Sequence, residues 1–181
     1  LSKTTAITRA LPGSTDTTAL AVRPTTEPWL DPEWQRLWLS VAVRPWRSLG
    51  LVPAGNGGSP DFTLIVAMTL SRTGMVHLGS PIQVADATQI PLSDLNSFLH
   101  EVHRCTSSGH RVLVALPSTD SGPSAATIAQ ALDAAVLCVL MGKMKTPDAQ
   151  KTLKAVGPSR FLGSVVLHAN RLPLSEPPKS L

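Results

Sequence analysis

Leu49-Gly50-Leu51-Val52-Pro53-Ala54-Gly55-Asn56-Gly57-Gly58-Ser59-Pro60-Asp61 is the stretch on which the reading of the fold turns. A short apolar run enters a glycine-rich loop, and the loop hands over to an apolar helical pattern over 62–72. Strand, glycine-rich loop and helix in that order is how an α/β protein cradles a phosphate, because loop and helix-start N–H groups converge on one point. Gly55, Asn56, Gly57, Gly58 and Ser59 are the candidate loop residues. The lysine that normally serves such a loop is missing, since none occurs between Lys3 and Lys143.

Working outward, the residues on either side alternate between helix and strand patterns. Asp31-Pro32-Glu33 is a helix start, with Asp as N-cap and Pro in the first turn. Trp34, Leu37, Trp38 and Val41 follow at helical spacing, and Arg44-Pro45 ends the segment. A strand is expected over 48–52. Ser59-Pro60 looks like a cap and first-turn proline for a helix that Gly74 closes near Thr73, with a second strand over 75–78 and a short continuation over 82–85. Ser93 can cap a helix carrying Leu95, Phe98, Leu99 and Val102 on one face. Strands over 111–116, 134–140 and 161–167 alternate with helices over 124–132 and 146–156. Such alternation with short connections implies right-handed βαβ units, hence an α/β fold: a mainly parallel sheet of about five to seven strands with helices on both faces. Ligands in such sheets sit beyond the carboxyl ends of the strands, where the glycine loop lies.

Composition sets bounds. The 181 residues suffice for one domain with a real core, placed at 29–170 between a tail at 1–28, rich in Thr, Ser, Ala and Pro, and another at 171–181, rich in Pro and Ser. Net charge is +4 with the cations scattered, which reads as a solvated basic surface. Two cysteines, Cys105 and Cys138, give no disulfide framework or metal site, and no apolar run approaches the roughly 20 residues of a membrane span. A cytoplasmic protein is the default. Tyrosine is absent altogether.

The order of elements resembles the deviant-Walker P-loop ATPases of the partition and septum-site type. Within these it most resembles the cytoplasmic bacterial tyrosine kinases that accompany polysaccharide export. Four stretches over 31–168 carry the likeness: Pro53 to Ser59 at the phosphate loop, Val112-Leu113-Val114-Ala115-Leu116-Pro117 at an apolar strand ending in Asp-x-Pro, Asp133 to Leu140 followed by Thr146, and Phe161 to Leu167 at the final strand. The resemblance implies a P-loop NTPase-like three-layer sandwich. It also implies positions for chemistry, and several are changed. Depending on the gap chosen, the lysine and hydroxyl positions fall on Ser59, Pro60, Asp61 or Phe62. The Walker-B aspartate falls on Ala115. The carboxylate expected after the second strand meets Gly79-Ser80, with Asp86 nearby in a different local pattern, and the base-contacting Asn falls on His168. The kinases' C-terminal tyrosine cluster has no counterpart. Of their oligomerisation motif Glu-x-x-Arg-x-x-Arg, Glu33 and Arg36 match and Leu39 does not.

These departures imply a catalytically inactive, pseudo-ATPase-like interaction or regulatory subunit of a bacterial polysaccharide synthesis or export complex, cytoplasmic or peripheral to the inner membrane. No cofactor and no metal are expected. The partner is a protein, homo-oligomerisation stays open, and nucleic acid is disfavoured. Two alternatives stand beside this: an ATPase or kinase completed by a partner subunit, and a partition-like nucleic-acid-binding protein. The candidate partner surface is Trp29, Glu33, Trp34, Arg36 and Trp38, weighed against packing of the same tryptophans on the domain's own sheet. His100-Glu101-Val102-His103 is one residue short of zinc-helix spacing and reads as a solvated face. Asp120 reads as a solvated loop residue. Lys143, Lys145, Arg160 and Arg171 stand near strand ends, where cations are common.

Overall fold

Asp31 and Pro32 start the first helix as their chemistry dictates: the Asp31 carboxylate accepts the Glu33 N–H at 2.8 Å, and proline occupies the first turn, where no N–H is needed. The computed structural model describes residues 27–168. Its main elements are α1 (Pro32–Ala42), β1 (Ser48–Pro53), α2 (Phe62–Leu78), β2 (Ile82–Asp86), α3 (Leu95–Ser107), β3 (Arg111–Ala115), α4 (Pro123–Ala131), β4 (Ala134–Leu140), α5 (Thr146–Val156) and β5 (Phe161–Leu167). The tails expected at 1–28 and 171–181 lie outside the described residues, apart from Glu27 and Pro28.

Five strands form one sheet in the order β2-β3-β1-β4-β5, with every neighbour parallel. This is the P-loop NTPase-like arrangement, at the lower end of the expected strand number. β1 is central and buried along its whole length. Its alternate side chains feed two separate layers. Leu49 and Leu51 join Trp34, Trp38 and Val41 of α1 and Phe62, Val66 and Leu70 of α2. Val52 joins the layer containing Val102 of α3, Ile128 of α4 and Val156 of α5. Cys138 lies fully inside the first layer, where burial pushes its thiol up to about 12, consistent with a small core residue.

Three local expectations are corrected. α2 does not stop at Gly74 but runs through it to Leu78, and Gly79 closes it in the left-handed conformation with φ 64°. Gly74 is there for space: a Cβ would meet Ile82 Cδ1 at 2.3 Å and the Trp38 ring at 2.7 Å. The second strand is therefore Ile82–Asp86, not 75–78. α2 also starts at Phe62, after Asp61, so Ser59 is not its N-cap; instead the Ser59 carbonyl accepts the Phe62 N–H at 3.0 Å.

Of the two readings of the first-helix tryptophans, packing on the domain's own sheet describes Trp34 and Trp38. Trp38 is 1 % and Trp34 7 % exposed, because the apolar stripe of α1 closes over β1 and α2. Trp38 meets Trp46 edge to face at 6.0 Å. Trp29 is half-buried beneath the Arg72 guanidinium, 4.5 Å from its ring centre, and Glu33 and Arg36 are both exposed.

At the other end of β1 a side chain ties two strands. One oxygen of Asp133, just before β4, accepts the Arg47 and Ser48 N–H groups at 2.8 Å each, and the Ser48 hydroxyl accepts the Asp133 N–H at 3.0 Å. Partial burial pushes this carboxyl up, but the Ser48 and Arg47 donors outweigh it and hold it below the usual aspartate range.

Two predictions follow from this packing. Replacing Gly74 with Val should destabilise the domain by about 1–3 kcal/mol through overpacking against Trp38 and Ile82, read by urea denaturation. For Asp133→Asn, the folded-state pKa is lowered, so the carboxylate's contribution is present above about pH 4 and fades as pH falls through the lowered value. The variant should thus be less stable than the parent at neutral pH, with the gap narrowing below about pH 4; a gap independent of pH would refute the charged clamp.

Candidate functional site

A five-stranded parallel sheet in the observed order has one topological switch point. The chain leaves β1 over one face toward β2 and leaves β3 over the other toward β4, so the two loops part and open a crevice beyond the carboxyl ends of those strands. A cavity of about 290 Å³ occupies that place. It is lined by the glycine loop (Pro53, Gly55, Asn56, Gly58, Ser59, Pro60), by Phe62 and Thr63 of α2, by Thr88, and by Leu116, Pro117, Ser118 and Ser121 after β3. The candidate loop residues are thus brought to a crevice of the expected kind. Gly57 is held just behind it.

The loop is tied from three sides. The Ala54 N–H donates to the Cys138 carbonyl at 2.9 Å. The Ser121 hydroxyl donates to Asn56 Oδ1 at 3.0 Å, joining the loop after β1 to the loop after β3 across the crevice. Gly57 lies so close to the backbone of Lys143 that a Cβ would stand 2.0 Å from that carbonyl oxygen, and a Cβ on Gly55 would stand 2.9 Å from Asp148 Cβ. Both glycines are needed for close approach.

Whether these residues suit a magnesium nucleotide can be tested on their chemistry. A phosphate loop needs free N–H groups, a lysine and a hydroxyl for the metal. The Phe62 N–H is taken by the Ser59 carbonyl, and Pro60 has none. Thr63 supplies a hydroxyl in the first turn of α2, a residue that sequence reasoning missed because it placed the helix start at Ser59. That hydroxyl is buried and donates to the Leu116 carbonyl at 2.8 Å. The residue before it, where a phosphate loop carries its lysine, is Phe62, an apolar side chain 2 % exposed. No lysine, arginine or histidine lines the cavity among the described residues. The set does not fit a magnesium triphosphate, whose charge a low-dielectric crevice leaves unbalanced without a cation.

Other expected positions fall as follows. Ala115 is the last residue of β3, fully buried, and pairs with Asp86 of β2. The carboxylate at the end of the second strand is therefore Asp86 and not a gap at Gly79-Ser80; one of its oxygens accepts both the Thr88 N–H at 2.9 Å and the Thr88 hydroxyl at 2.7 Å. His168 follows β5 and lines a different groove of about 400 Å³, with Glu33, Trp34, Arg36 and Leu37 of α1. In α3 Glu101 pairs with Arg104, which holds the carboxyl below its usual range, and the Ser107 hydroxyl lies 3.4 Å from His103 Nε2. Asp120 is not a free loop residue but pairs with Lys151 of α5. Arg160 donates to the Leu132 carbonyl at 3.0 Å, and Arg171 lies outside the described residues.

The loop packing predicts a contrast between neighbouring glycines. Gly57→Ala should displace the loop from Lys143 and cost about 1–3 kcal/mol in a denaturant melt. Gly58→Ala, whose Cβ would touch only Phe62 at an ordinary 3.4 Å, should remain near the parent.

Comparison with known proteins bears on the fold. Neither a protein-family model nor a curated protein matches the sequence. Among solved structures the chain is similar to the BceF tyrosine kinase domain, with a TM-score of 0.50 over 74% of this chain and 72% of that one. At 13% identity, the likeness is one of fold.

Proposed function

We propose that the chain is a catalytically inactive P-loop-like domain that works as an interaction or regulatory subunit of a bacterial polysaccharide synthesis or export complex. The observation that carries the inactive reading is the crevice lining: Phe62 stands before Thr63, and the Thr63 hydroxyl is already committed to Leu116. The fold likeness to the BceF tyrosine kinase domain supports the choice of complex. Trp29, Glu33 and Arg36 supply the surface part of the partner-binding role, with Trp34 and Trp38 holding their helix in place beneath them. Because Trp38 belongs to the core, that role is tested by Glu33→Ala and Arg36→Ala, not by removing the helix.

Asp86 favours a second reading, an ATPase or kinase completed by a partner subunit, since a carboxylate does close β2. One titration tests the inactive reading on the isolated chain. Millimolar ATP with Mg²⁺ should leave the melting temperature within about 1 °C of the ligand-free value, whereas a rise of several degrees, as expected for ligand far above its Kd, would sink the inactive reading.

A further inference from the structure

The described cations that line cavities gather mainly at the opposite end of the sheet. Arg47 precedes β1, Arg111 opens β3, and Arg160 precedes β5; all three line one open concavity of about 620 Å³ at the amino ends of the strands. Trp46 forms part of its wall, with the Arg111 guanidinium 5.0 Å from the ring centre. We propose that this concavity is a binding site for a small phosphate-type oxyanion, held by the guanidinium forks of Arg47, Arg111 and Arg160.

The hydrogen-bond inventory supports this. A guanidinium carries five N–H donors in a planar fork that matches an oxyanion. Arg47 uses one side-chain donor, Nη1 to the Thr106 carbonyl at 3.1 Å, and Arg160 uses Nη1 to the Leu132 carbonyl at 3.0 Å. These bonds fix the two side chains at the ends of α3 and α4 and leave further donors on each. Arg111 is the sharper case. Its Nη1 is shielded from solvent and has no acceptor among the described residues, a rare condition for a charged donor. The Trp46 ring beneath the guanidinium helps to hold it at the concavity, where an oxyanion would supply the acceptor that Nη1 lacks. Asp133 also lines the site, but one oxygen of its carboxylate is turned to the Arg47 and Ser48 N–H groups, and three cations face this single anion. Arg47 and Arg160 are exposed but anchored by their bonds to the two carbonyls, and Arg111 is half-buried, so the forks are preorganised, which distinguishes the site from a generally basic surface. The ligand chemistry is a phosphate monoester or diphosphate, free in solution or on a lipid headgroup.

Calorimetry of the whole chain at low salt with inorganic pyrophosphate is the primary test. Binding is expected, weakened about tenfold or more by Arg47→Gln and by Arg160→Gln and abolished in the double variant. Lys154→Gln, on the exposed side of α5, should bind like the parent. Arg47→Lys with Arg160→Lys keeps the charge but loses the forks; it should bind weakly if geometry matters, and parent-like affinity would reduce the site to net charge and overturn it. Circular dichroism checks that each variant is folded. Flotation with phosphatidic acid and phosphatidylcholine vesicles distinguishes the sources: retention on phosphatidic acid alone, lost in the double glutamine variant, assigns the headgroup. Absence of both pyrophosphate and phosphatidic acid binding, or binding unchanged in the double variant, overturns the proposal.

Discussion

A central parallel strand has to be hydrogen-bonded along both edges and covered on both faces, and β1 imposes that demand on everything else. It pairs with β3 on one side and β4 on the other, in a register running from Ser48 opposite Val112 to Pro53 opposite Cys138. Its side chains leave no face free for water, so two separate apolar layers must form, one under α1 and α2 and one under α3, α4 and α5. Right-handed crossovers satisfy this only if leftward connections use one face and rightward connections the other. The crevice at the carboxyl ends of β1 and β3 is a geometric by-product of that division. It exists whether or not chemistry is done in it.

This separates two questions that the glycine loop seems to join. The loop glycines are required by packing, Gly57 against the Lys143 carbonyl and Gly55 against Asp148, and those contacts would demand glycine in a domain that binds nothing there. The loop's persistence is therefore evidence for the fold. Evidence about ligands has to come from the groups that point inward, and these are neutral: hydroxyls, one carboxamide and the ring of Phe62. The Ser121–Asn56 bond, joining the two loops that a ligand would wedge apart, points the same way.

Sequence reading succeeded where local chemistry decides. β4 and β5 are apolar runs bounded by turn residues, and their observed limits match the expected ones; the Asp31-Pro32 start of α1 is set by capping that involves neighbours two residues apart. It failed where distant residues overrule local preference. Gly74 looks like a helix end because glycine weakens helices by about 1 kcal/mol, but the Trp38 ring, 36 positions away, needs the missing side chain. That one misreading moved the second strand and hid Asp86 from the position at which it lies. Thr63 was overlooked for a related reason: the helix start shifted from Ser59 to Phe62 because Ser59 supplies a backbone carbonyl rather than a side-chain cap. The fate of the tryptophans depended on a whole helix face, which spacing alone leaves equally compatible with core and with surface.

The same topology explains where the cations went. In this sheet the helix amino ends gather at the crevice and the helix carboxyl ends at the opposite rim, so macrodipoles make the crevice favourable for anions and the rim favourable for cations. A working phosphate site adds cations to the crevice against that bias, drawing on the ligand to balance them. Here the crevice keeps only the dipoles, and Arg47 and Arg160 instead meet the carbonyls at the ends of α3 and α4. Once anchored there, a guanidinium has more donors than the helix end has acceptors, which leaves the rim with hydrogen-bonding capacity that the fold does not consume. Arg111, sealed against Trp46 with a donor unanswered, is where that surplus is most acute. The arginines that line cavities at the strands' amino ends thus have no counterpart in the crevice lining at their carboxyl ends.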